Sequence, residues 1–96
     1  MIVHIVMFKF KDENKASNIK LVEEKLNELV HKIDVLKSLE VGINFNHSER
    51  AFDMSLYSTF DSKEALNVYA IHEDHLKVVS IIKEVTSESK VVDYEI

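Results

Sequence analysis

A chain of 96 residues with a net charge of −5 and a pI near 5.5 has room for one compact domain, residues 1–96, and not for two. Seventeen acidic side chains against 12 basic ones, with no basic cluster, argue against nucleic-acid binding, which relies on Lys and Arg to displace counterions from phosphates. The lack of Cys excludes disulfides and thiolate chemistry, and no apolar run approaches the roughly 20 residues that span a bilayer.

The chain opens "IVHIVMFKF" (residues 2–10), rich in β-branched and aromatic residues, which predicts a strand. Ile2, His4, Val6, Phe8 and Phe10 fall on one face, and Val3, Ile5 and Met7 on the other. A sheet with one wet face alternates apolar and polar residues. Here both faces are apolar through residue 7, so each needs a cover. The same N-terminus lacks a basic region and a small-residue cleavage site, so it does not read as a signal peptide. The expectation is a complete, cytoplasmic chain.

After a polar turn over residues 12–17, Ile19, Val22, Leu26, Leu29, Val30 and Ile33 recur at steps of three and four, the mark of an amphipathic helix. Asn14 or Ser17 is the expected cap. Residues 39–46 alternate as a second strand, with Leu39, Val41, Ile43 and Phe45 on one face. "NHSER" is a turn. Residues 51–60 form a third strand, with Phe52, Met54, Leu56 and Phe60 on one face and Tyr57 on the other.

Asp61, followed three residues later by Glu64, suggests a capping box opening a second helical region. Its stripe is Leu66, Tyr69, His72, Leu76, Val79 and Ile82. "KVVDYEI" (residues 90–96) closes as a strand. The order β-α-β-β-α-β is the ferredoxin-like plan, α+β in class, with an antiparallel four-stranded sheet and its helices on one face. The helices leave the second face of the first strand bare, and a second copy of the chain, sheet against sheet, is the simplest cover. A domain this small buries only about 60–65% of its unfolded surface, so pairing also adds useful burial.

The chemistry concentrates in "YAIHEDH", Tyr69 to His75. His72 and His75, three apart, share a helix face, but zinc sites draw three or four converging ligands, and "HEDH" misses the zincin spacing by one residue. No metal is expected. An acid–base role suits His, which titrates near neutrality, and Tyr, which can donate to a substrate oxygen. On an unbroken helix, Tyr69 and His75 would stand about 9 Å apart in rise and about 240° apart in rotation. They meet only if the helix breaks near His72–Asp74, where Glu73 and Asp74 suit the first turn of a new segment. An ordinary core-and-surface helix is the competing reading, and on residue types alone it is the stronger one.

His4 interrupts an apolar strand face, and a buried imidazole needs a hydrogen-bond partner. Tyr69 or His75 is the candidate, with water at a sheet edge as the alternative. His31 reads as solvated, His47 as a turn residue and Tyr94 as packing.

The stretches "HIVMFKFKDE" (His4 to Glu13), "YAIHEDH" and "VVDYEI" (Val91 to Ile96), in this order and spacing, resemble the stress-responsive dimeric α/β-barrel (Dabb) family. The resemblance implies a protomer whose sheet faces a partner's sheet to close a barrel, with a pocket between sheet and helices. The family's best-known enzymes are plant polyketide cyclases that close a poly-β-ketone by aldol condensation. By that likeness His75 is the general base, Tyr69 its partner at the substrate oxygen and His4 a supporting hydrogen-bonding group. Val6, Phe8, Leu26, His72 and Val79 line the pocket, and no cofactor is required.

Two positions depart from the family pattern: Glu73 replaces a usual proline, and Leu26 stands where the cyclases place an aromatic residue. Some relatives hold a cation on backbone carbonyls, here near Val30, Ile33 and Leu36. Three functions stay open: a small-molecule binder with cofactor-free cyclase- or lyase-like chemistry, a non-enzymatic stress-associated module, and a heme or quinol-type monooxygenase. The absence of Trp and of a heme signature counts against the last.

Overall fold

The computed structural model describes all residues, Met1–Ile96. Strand β1 (Ile2–Phe10) is followed by helix α1 (Lys15–Glu28) and a 3-10 turn (Leu29–His31). Strands β2 (Ser38–Ile43) and β3 (Met54–Phe60) come next, then helices α2 (Lys63–Ile71) and α3 (Glu73–Val85), and strand β4 (Thr86–Glu95). The four strands form one antiparallel sheet in the order β2-β3-β1-β4. This is the expected ferredoxin-like α+β architecture.

The helices cover one face of the sheet. Ile2, Phe8 and Phe10 of β1 and Met54, Leu56 and Phe60 of β3 pack there with Val22 and Leu26 of α1, Tyr69 of α2, and Val78 and Ile82 of α3. Leu29, Ile33 and Leu36 extend the buried line past the end of α1, the i, i+3, i+4 stripe that hydrophobic burial favours.

Several local expectations are corrected. Asn14 does occupy the N-cap position of α1, but with a left-handed backbone (φ 52°) and no side-chain cap. Its carbonyl instead accepts from the Ser17 hydroxyl at 3.0 Å. The α2 cap is Ser62, whose Oγ accepts from the Ala65 N–H at 3.1 Å, rather than Asp61. Val30, placed on the buried stripe, is exposed. The second strand stops at Ile43 and leaves Phe45 91% exposed. The third starts at Met54, and the last begins at Thr86 rather than Lys90.

On the face without helices, Val3 lies opposite Thr59 and Tyr94 and is 0% exposed within the single protomer. The protomer covers it without outside help, contrary to expectation. Met7, Tyr57, Val92 and Tyr94 are the open apolar side chains of that face. No helix is long and apolar enough to cross a membrane.

Candidate functional site

Helix α2 is anchored by its Ser62 cap and buries Tyr69 in its last turn. It then ends at His72, whose φ of −63° and ψ of 136° turn the backbone extended for a single residue before α3 begins. That corner removes the geometric obstacle of a continuous helix. The rings of Tyr69 and His75 lie 4.2 Å apart, centroid to centroid, tilted by 40°. The corner also re-phases the buried stripe. In α3 it runs through Val78 and Ile82, while Leu76 is exposed.

Two observations define the electrostatics. The Tyr69 hydroxyl is buried and has no hydrogen-bond partner, an arrangement that is costly and rare unless something else meets the group. Burial pushes its pKa up to about 12, so it remains an O–H donor through the neutral range. His75 Nδ1 lies 3.0 Å from the Ala70 carbonyl. A carbonyl only accepts, so Nδ1 carries the proton and neutral His75 keeps its lone pair on Nε2. The His75 pKa is lowered, chiefly by burial. The Ala70 carbonyl works in the opposite direction, and the charges of His4 and His72 lower it further. The outcome is a neutral imidazole with a basic nitrogen.

His4 projects from β1 toward the helices. Its ring is 6.3 Å from that of Tyr69 and 6.4 Å from that of Phe60, edge to face in both cases. Its hydrogen-bond partner is neither Tyr69 nor His75. Nδ1 donates to the carboxylate of Asp93, the residue directly across the β1–β4 pair. The His4 carbonyl accepts from the buried Ser58 hydroxyl at 3.1 Å. Asp93 was not identified from the sequence. The pattern places Asp93 on a strand, but the register that sets it opposite His4 is decided by tertiary pairing.

The other expected pocket residues are spread around this cluster. Phe8 and Leu26 belong to the buried core, Val6 packs against it, and Val79 is half-buried. His72 caps α3, its Nδ1 accepting from the Asp74 N–H at 3.1 Å. None of the five principal surface recesses of the protomer is lined by His4, Tyr69 or His75. A hollow of about 440 Å³ between the start of α2 and the end of β4 reaches Asp93, the partner of His4, and is walled by Ile2, Lys63, Leu66 and Asn67. No three His, Asp or Glu side chains come together in a metal-binding arrangement.

The model of the stress responsive A/B barrel domain (Dabb) matches residues 2–96. The chain is 38% identical over 79 residues to a stress-response A/B barrel domain-containing protein of Arabidopsis thaliana, covering 82% of this chain and 30% of that protein. It is 34% identical over 97 residues to a second such protein of the same plant, covering 98% of this chain and 46% of the relative. The chain thus spans less than half the length of either relative. Among solved structures, a dimeric ferredoxin-like protein of unknown function from Bacteroides fragilis superposes with a TM-score of 0.90 at 34% identity, covering 99% of this chain and 95% of that one. Hydroxynitrile lyase from Passiflora edulis (TM-score 0.88, 19% identity, 99% and 92% covered) shares the fold.

Proposed function

The chain belongs to the stress-responsive A/B barrel domain family, and on that premise we propose that it is a homodimeric small-molecule-binding protein with cofactor-free proton-transfer chemistry. The observation that carries this reading is the buried, partnerless Tyr69 hydroxyl beside an imidazole whose tautomer is fixed by Ala70. Such a pair can act on a carbonyl compound that bears an acidic C–H. His75 Nε2 takes the proton as the C–H bond breaks, and the electron pair moves onto the carbonyl oxygen. The Tyr69 O–H donates to that oxygen, where charge develops. His4, held by Asp93, supplies a polar edge beside the Tyr69 ring.

The dimer in this proposal forms through the helix-free face of the sheet. Met7, Tyr57, Val92 and Tyr94 are exposed there in the protomer, and a close structural neighbour is dimeric.

A second reading, a non-enzymatic module whose polar trio only braces the fold, has an observation of its own: no principal recess of the protomer opens onto the three rings. One experiment separates the two. A panel of small enolisable ketones is incubated in D2O with the protein, and loss of α-protons is followed by NMR. The enzyme reading expects at least one ketone to exchange faster with wild type than with His75→Ala at equal folded concentration. Equal rates across the panel for both proteins would leave the bracing role.

A further inference from the structure

His72 is the only residue between α2 and α3, and all its polar groups but one are engaged. Its N–H donates to the Tyr69 carbonyl at 3.1 Å, and its carbonyl accepts from the Leu76 N–H at 2.9 Å. Its ring Nδ1 accepts from the Asp74 N–H at 3.1 Å. Its backbone, φ −63° and ψ 136°, is the conformation that a following proline would impose. The next residue is Glu73, which imposes nothing of the kind. The corner needs another source of order, and the imidazole is the group placed to supply it. It occupies the position where Ser, Thr, Asp or Asn side chains ordinarily satisfy the unpaired N–H groups of a first helical turn.

The second imidazole completes the arrangement. The Ala70 carbonyl belongs to the last turn of α2, where intrahelical partners run out, and His75 Nδ1 meets it at 3.0 Å. Each histidine therefore caps one helix end at the same corner. His72 closes the start of α3, and His75, from inside α3, closes the end of α2. The stack of His75 on Tyr69 follows from both caps, because without the corner the two rings point away from each other.

We infer that His72 is a positioning residue, whose ring nitrogen, acting as the N-cap of α3, sets the corner that seats His75 against Tyr69. The inference builds on the site proposed above, but its test does not depend on turnover. Nδ1 accepts only while it carries no proton, so a side chain with a permanent acceptor can replace it and an apolar one cannot.

The test compares full-length wild type, His72→Asn and His72→Ala by NMR. The readouts are Tyr69–His75 ring NOEs, hydrogen exchange of the Asp74 amide, and the titration midpoint of His75. In His72→Ala the NOEs should vanish, Asp74 exchange should speed up about fivefold, in line with loss of an N-cap, and the His75 midpoint should rise toward 6.5. His72→Asn should restore all three. A folded His72→Ala protein with the ring contact intact would overturn the inference. If that variant does not fold, a folded His72→Asn that loses the contact would overturn it equally, and one that keeps it supports it. Catalytic inactivity of the wild-type protein would sink the proposed chemistry and leave these three readouts unaffected.

Discussion

The rings of Tyr69 and His75 lie 4.2 Å apart, although six residues and a helix boundary separate them along the chain. The contact joins a proton donor that burial keeps protonated to an imidazole that burial keeps neutral. The same desolvation acts on both groups. In each case it penalises the charged form, which raises the pKa of a phenol and lowers that of an imidazole.

Tyr69→Phe separates stability from function. The hydroxyl is buried without a partner, and such a group costs on the order of 1–3 kcal/mol. Deleting it should leave the fold at least as stable, with a gain of about 1 kcal/mol raising Tm by roughly 4–8 °C. Ketone exchange should fall about 100-fold, as when an oxyanion donor is lost. Thermal denaturation and the NMR exchange assay read the two effects. A variant with lower Tm and unchanged exchange would contradict the donor role.

The lowered His75 pKa fixes the sign of a pH effect on stability. Between the depressed folded value and the ordinary value of 6.5, the unfolded chain binds more protons at this site than the folded one. Stability therefore rises with pH across that window. The contribution is fully present above about 6.5 and is lost as pH falls through the folded value. His75→Gln removes it, so the Tm of wild type should drop more than that of the variant between pH 7.5 and pH 5. The half-exposed ring keeps the difference small. Parallel melting curves at both pH values would show that burial does not act on His75.

The Ser62 cap is tested by Ser62→Ala. Loss of the bond from the Ala65 N–H to Ser62 Oγ should cost about 1 kcal/mol, read as a lower midpoint in urea with an unchanged slope. Asp61→Ala, by contrast, should stay within about 0.5 kcal/mol of wild type, since Asp61 is exposed and its one ion pair, with Lys37, lies on the surface.

The open sheet face is tested by Val92→Glu. Val92 is 53% exposed in the protomer, so a carboxylate there costs the isolated fold little. Facing its own copy across a dimer interface, the same charge is desolvated and sits near a like charge. The variant should keep its circular dichroism spectrum and sediment as a monomer at concentrations where wild type is a dimer. A dimer that persists unchanged would place the interface on another surface.

Much of this molecule was legible in the chain before any coordinates. The alternation of β1, the α1 stripe through Val22 and Leu26, and the β-α-β-β-α-β order all follow from local periodicity, because side-chain direction repeats every two residues in a strand and every 3.6 in a helix. The break at His72 was legible only as a condition: helical rotation shows that Tyr69 and His75 cannot meet on a continuous helix, and the coordinates show that the helix does end there. The carboxylic partner of His4 was not legible at all. Asp93 and His4 are 89 residues apart, and only the register of β1 against β4 brings them face to face.

Composition and periodicity by themselves determined the class and the layers, since burying apolar side chains is largely a matter of pattern. The tertiary structure decided the rest. It left the Tyr69 hydroxyl without a partner, assigned the proton of His75 to Nδ1 through Ala70, and gave Val3 its cover within the protomer. Each of these depends on which groups distant in sequence end within hydrogen-bonding or van der Waals reach, and at those distances a shift of about 1 Å decides whether a contact exists at all.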